Sequence, residues 1–175
     1  MDDRGMTPVS NPSKYLLLGR LEDASGSSVC ITSEGTRCFA VEIQALCVRS
    51  VSGFPKRVSS GFSNNRLNLL CAILDKHLKF NLSGYDVFLN VASGLNIKEP
   101  AVDLGVCAAI ISSYKNSSTV KSSCFFGEVG LNGEVRPVTM TKMRLVESKN
   151  MSLDRVFYPA NIKSVQDLLK KAINK

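Results

Sequence analysis

Histidine is nearly missing from this chain: its 175 residues hold one, His77. A His-based triad and a His-rich metal site are therefore poor starting hypotheses. Six cysteines are present (Cys30, Cys38, Cys47, Cys71, Cys107 and Cys124), but none forms a Cys-x-x-Cys pair, and most sit among apolar neighbours. That argues against zinc and against a disulfide framework, and for buried, reduced thiols in a reducing compartment. No apolar run reaches membrane-spanning length, and no signal-peptide pattern is present. A Gly-rich phosphate loop of the Walker type is also missing, so the expectation is that this chain does not bind ATP by itself. Aromatics do not interleave with the basic residues, which argues against base stacking.

What is present is an ordinary globular composition, 44% hydrophobic and 21% charged, at a length that supports one domain with a real core. The net charge of +7 favours a polyanionic partner, nucleic acid before a membrane surface.

The chain is organised around residues 85–114. Tyr85 to Ala92 reads as a strand, with Val87, Leu89 and Val91 on one face and Phe88 and Ala92 on the other. A Gly-bearing loop leads to Pro100, which suits the first position of a helix. Asp103 falls in the first turn, where the helix dipole favours a negative charge. The helix that follows is apolar nearly all round, which predicts burial. Upstream, Ser28–Thr32 and Cys38–Val48 flank the turn 33–36 and predict a hairpin, with Phe39, Val41, Ile43, Ala45 and Cys47 on one face. Residues 50–63 read as a Ser/Gly/Pro-rich loop. Residues 64–78 predict a helix with Leu67, Leu70, Cys71, Leu74 and Leu78 inward. Downstream, Asn132-Gly133 between two β-prone arms predicts a second hairpin across 124–138. A short helix at 140–149, a strand at 155–158 and a final helix capped by Ser164 complete the expected elements. Residues 1–14 read as a connector and 15–175 as the domain. The mixture of hairpins and helices predicts an α+β sandwich rather than a doubly wound parallel sheet.

Three stretches carry a resemblance to a known family: Val41-Glu42-Ile43-Gln44-Ala45-Leu46; Asn65-Arg66-Leu67-Asn68-Leu69-Leu70 with Leu74-Asp75-Lys76; and Phe126 to Val138, with Gly127-Glu128-Val129-Gly130 and Asn132-Gly133-Glu134-Val135-Arg136-Pro137. Val87 to Asp103 and Val9 to Ser13 fit the same pattern. Together they resemble the C-terminal region of the RadA (Sms) DNA-repair proteins. The resemblance implies the fold of the Lon protease proteolytic domain, a mixed sandwich of β-hairpins and helices. It also implies a region that follows a zinc-binding segment and a RecA-like ATPase core in a ring-shaped, ATP-driven motor for branch migration. On that basis the expectation is a non-catalytic oligomerisation and DNA-binding domain, not itself an enzyme, with no cofactor of its own. ATP, magnesium and zinc would belong to an upstream region. The implied partners are DNA, single-stranded or branched, other copies in a ring, and a recombinase. The implied place is the bacterial cytoplasm or an organelle of bacterial descent.

Lon enzymes use a Ser–Lys dyad whose serine follows a proline at a helix start. The matching segment here is Glu99-Pro100-Ala101-Val102-Asp103, so a methyl stands where the nucleophile would be. Lys142 matches the dyad lysine by its spacing from Pro137 and is expected beside Glu99 and Asp103, which would hold it charged. Ser93 is the nearest alternative hydroxyl, and it reads as a turn serine before Gly94. No peptidase activity is expected. The candidate DNA contacts are Arg49, Lys56, Arg57 and Arg66 around the 50–63 loop, with Arg136 and Arg144 as weaker candidates because Glu134 and Glu147 could pair with them. Two alternatives stay open: a degenerate Lon-like peptidase, and a purely structural ring-forming module.

Overall fold

The computed structural model describes residues 11–51 and 53–174. Residues 1–10 of the expected connector, and Lys175, lie outside the described residues.

A six-stranded sheet forms the centre, in the order β3-β4-β2-β1-β5-β8. Its strands are β1 (Ser27–Glu34), β2 (Arg37–Arg49), β3 (Arg57–Ser60), β4 (Tyr85–Val91), β5 (Ser123–Phe125) and β8 (Arg155–Phe157). A separate two-stranded hairpin pairs β6 (Glu128–Val129) with β7 (Val135–Arg136). The β1–β2 and β2–β4 pairs are antiparallel, and the β3–β4, β1–β5 and β5–β8 pairs are parallel. Five strands therefore point one way and β2 alone opposes them, giving a mixed α/β sheet that is mostly parallel.

The sequence weighed hairpins too heavily, and the reason is in the connections. Parallel neighbours need a crossover, usually a helix. Here α2 (Asn64–Leu78) joins β3 to β4, and α4 (Thr141–Asn150) lies between β5 and β8. The strand β3 sits inside the stretch read as loop. The expected hairpin across 124–138 divides, so that Ser123–Phe125 joins the main sheet and only two residues on each side of the turn pair with each other. Gly133 takes φ +75° in that turn. The His77 ring nitrogen lies 3.1 Å from the Leu131 carbonyl oxygen, tying the hairpin to α2.

The sheet is covered unequally. On one side α2, α3 (Asp103–Lys115) and α5 (Val165–Ala172) close a large core. Val41, Ile43, Val87, Leu89 and Val91 of the sheet enter it together with Leu67, Leu70, Leu74, Ile110 and Leu168. Asp103 through Ser112 are all buried, as the all-round apolar pattern predicts. Gly105 lets α3 approach this closely, because a Cβ there would collide with the Cys30 sulfur of β1. The Ser28 hydroxyl donates to the Gly105 carbonyl at 2.8 Å.

On the opposite side α1 (Pro12–Leu16) and α4 cover β1 and the first half of β2 over a smaller core of Val29, Ile31, Ala40, Cys124, Phe126 and Leu153. Pro12, Ser13 and Lys14, read as the end of a connector, therefore open a helix that runs to Leu16. Buried Ser13 donates to the Glu147 carboxylate and accepts from the Ala40 N–H at 2.9 Å. Phe39 stands apart from the large core, half-buried at the edge of a cleft.

Candidate functional site

Two places bear on function: the turn from β4 into α3, and the loop between β2 and α2.

At the turn, Pro100–Val102 make one tight helical turn that runs into α3. Ala101 is 1% exposed, and its carbonyl accepts from the Gly127 N–H at 2.7 Å. The two acids that flank it are each held by an arginine. Glu99 pairs with Arg144, whose side chain is fully buried. The same guanidinium donates to the carbonyls of Ile31 at 2.6 Å and Thr139 at 3.0 Å, and to the Ser33 hydroxyl at 3.0 Å. Burial pushes the Glu99 carboxyl up, but the bonds from Arg144 and Ser33 outweigh it and leave the group below its ordinary range. Asp103 pairs with Arg66 and also accepts from the Val129 N–H at 3.2 Å. Its burial outweighs those bonds and holds its carboxyl above the usual range.

Neither acid forms an ion pair with Lys142, the neighbour expected from sequence. The two acids are engaged by Arg144 and Arg66. Lys142 is exposed in the first turn of α4, on a cleft of about 880 Å³ shared with Tyr15, Leu16, Met143 and Val146. Ser93 adopts φ +63°, and its hydroxyl donates to the Leu16 carbonyl at 3.3 Å. All carboxylate oxygens of Glu99 and Asp103 already accept hydrogen bonds, so as arranged these two acids do not form a magnesium site.

The basic candidates separate into two groups. Arg144 is removed from any DNA surface, because none of its side chain reaches solvent. Arg57 is spent on the fold: its guanidinium donates to the carbonyls of Lys56 at 2.9 Å, Tyr85 at 2.6 Å and Leu82 at 2.7 Å. Arg66 is spent on Asp103 and on the Val129 carbonyl. Arg136 pairs with Glu134, the partner anticipated from sequence. Arg49, at the end of β2, and Lys56, just before β3, remain exposed. The Lys56 backbone N–H donates to Asp86 at 2.8 Å, which fixes the loop while leaving the ammonium outside.

The thiols behave as buried side chains. All six cysteines are free, and burial pushes Cys47 and Cys71 to about 11 and Cys124 to about 12. They stay protonated and unreactive at neutral pH.

One feature of the surface went unread in the sequence. Leu46, Phe88 and Val58 stand in register across β2, β4 and β3, on the side away from α3. The signal was available, since residues 45–48 are apolar at both parities of a strand. No helix among the described residues is long and apolar enough to cross a membrane.

Comparison with known proteins adds the family. A model described as Subunit ChlI of Mg-chelatase matches residues 37–162. The chain is 42% identical over 161 residues to the DNA repair protein RadA of Listeria monocytogenes, covering 92% of this chain and 35% of that protein. It is 37% identical to RadA of Streptococcus pneumoniae, covering 98% of this chain and 44% of that protein. It is 40% identical to RadA of Bacillus subtilis, covering 91% and 35%. The chain thus spans well under half the length of these relatives.

The matches correct two expectations drawn from the sequence, that the chain is not an enzyme and that it takes no cofactor of its own. Against both stand a family model described as Subunit ChlI of Mg-chelatase over residues 37–162 and relatives named DNA repair protein RadA, so neither absence is carried forward. The chain belongs to the family described as Subunit ChlI of Mg-chelatase, and its similarity to RadA DNA repair proteins extends over nearly its whole length.

Proposed function

We propose that this chain is the DNA-contacting and self-associating region of an ATP-driven DNA repair protein that moves branch points in recombination intermediates. The observation that carries this is the similarity to proteins named DNA repair protein RadA over 91–98% of the chain. In this reading the scaffold is that of the Lon proteolytic domain. The Ala101 methyl occupies the nucleophile position, and nucleotide hydrolysis with magnesium supplies the work.

Arg49 and Lys56 flank one exposed loop on a chain of net charge +7. Cations so placed hold a phosphate backbone by releasing its counterions and read no sequence. Arg136 joins them only by giving up Glu134. A recombinase would be a natural partner on the same DNA, in the bacterial cytoplasm or an organelle of bacterial descent. A purely structural ring module is the second reading. It is favoured by the commitment of Arg57, Arg66 and Arg144 to internal bonds.

Fluorescence anisotropy with single-stranded and branched DNA separates the two. Binding that weakens about thirtyfold in Arg49→Ala with Lys56→Ala, each contact being worth on the order of 1 kcal/mol, supports DNA contact. Binding by neither DNA supports the structural module.

A further inference from the structure

The sequence keeps its aromatics apart from its cations, but the fold brings several of them together at one end of the sheet. Arg49 and Tyr85 are register partners across β2 and β4. Cross-strand partners share a face, here the one on which Cys47 and Val87 join the large core. The Tyr85 ring leans on Tyr114, in the last turn of α3, with ring centres 5.1 Å apart. Tyr114 in turn stacks on Phe80 at 4.4 Å. The Lys115 ammonium stands 5.4 Å from the centre of the Phe80 ring. Lys115 also lines a cleft of about 600 Å³ with Lys170 of α5, Ser117 and Asn174, and no carboxylate among the described residues lines it. Arg49, Lys115 and Lys170 are exposed, and Tyr85 and Tyr114 are half-buried. Among the described residues these three cations enter no ion pair, in contrast to Arg66, Arg136 and Arg144.

We infer that this row is a track for single-stranded nucleic acid, in which phosphates meet Arg49 at one end and Lys115 and Lys170 at the other, while unpaired bases pack against Tyr85 and Tyr114 between them. The inference deepens the DNA contact of the proposed function and rests on it. Cations alone would hold any polyanion by counterion release. Rings set between cations add a preference for a strand whose bases are free, because stacking on an aromatic side chain accepts any base but needs it out of its duplex. The cleft at the Lys170 end has the volume of an ordinary ligand pocket, about 300–1,000 Å³, and its charge suits a phosphate.

The test is fluorescence anisotropy of the chain with three labelled probes of equal length: oligothymidylate, the same strand with abasic sites throughout, and a duplex. Lys115→Ala with Lys170→Ala should weaken oligothymidylate and the abasic strand alike, by about tenfold. Both side chains are exposed, so circular dichroism should be unchanged. Tyr85→Leu should weaken oligothymidylate about fivefold or more and leave the abasic strand and the duplex as they were, and Tyr85→Phe should bind like the wild type. If oligothymidylate binding falls with Arg49→Ala and Lys56→Ala but not with the lysine pair or Tyr85→Leu, the track is overturned and the proposed DNA contact stands. An equal loss on Tyr85→Leu for all three probes overturns the part given to the rings. A wild type that binds none of the probes overturns the track and the proposed DNA contact together.

Discussion

The two sides of the central sheet are held by different means. The α2–α3–α5 side is closed mainly by hydrocarbon, with ten consecutive residues of α3 buried and a single ion pair, Arg66 with Asp103, at its start. The α1–α4 side has shorter helices and a smaller core, and it is pinned by polar ties: Arg144 to Glu99, Ile31 and Thr139, and Ser13 to Glu147 and Ala40. Hydrophobic burial is non-directional and spreads its contribution over many atoms, whereas a buried ion pair concentrates it in one place. The first side should therefore yield gradually to substitution and the second abruptly.

The largest expected effect comes from breaking the tie. Arg144→Ala strands the Glu99 carboxylate and the Ile31 and Thr139 carbonyls, and should cost about 3–5 kcal/mol in urea unfolding. On the closed side, Ile110→Ala removes packing without leaving a charge behind and should cost about 2–4 kcal/mol. A larger loss for Ile110→Ala than for Arg144→Ala would break the comparison.

Acidity sharpens it, because the two acids shift in opposite directions. The Glu99 pKa is depressed in the folded state. Its contribution is therefore present above the unfolded value, about 4.3, and is lost as pH falls through the folded value. The Asp103 pKa is raised, so its contribution is present below the unfolded value, about 3.9, and is lost as pH rises through the folded value. In denaturation followed across acid pH, Glu99→Gln should flatten the loss of stability on acidification and Asp103→Asn should steepen it. Identical slopes for the two variants would contradict the assignment. The smallest expected effect is that of Val58→Lys on stability, within about 0.5 kcal/mol, because the side chain already faces solvent.

The closed side was also the legible one. The 3.6-residue stripe of α2, the apolar circumference of α3 and the Ser164 cap of α5 all appear where the sequence puts them. Each of those signals is local. The parallel pairings of β3, β5 and β8 depend on which distant strand lies alongside, and four residues among Ser, Gly and Pro carry no trace of that. The site was legible as composition and not as geometry. Charge alone could not separate Arg49 and Lys56, which face solvent, from Arg57, Arg66 and Arg144, each of which has a partner 25 or more residues away. That residue 101 carries no nucleophile was readable from the sequence, while the arginine partners of Glu99 and Asp103 required the fold.

The most direct test of the proposed DNA contact is the salt dependence of binding to single-stranded DNA, compared between the wild type and Arg49→Ala with Lys56→Ala. If these two cations hold phosphates, the double variant should lower the slope of log K against log salt by about 1.4. An unchanged slope, with affinity also unchanged, would contradict the assignment of this loop to DNA.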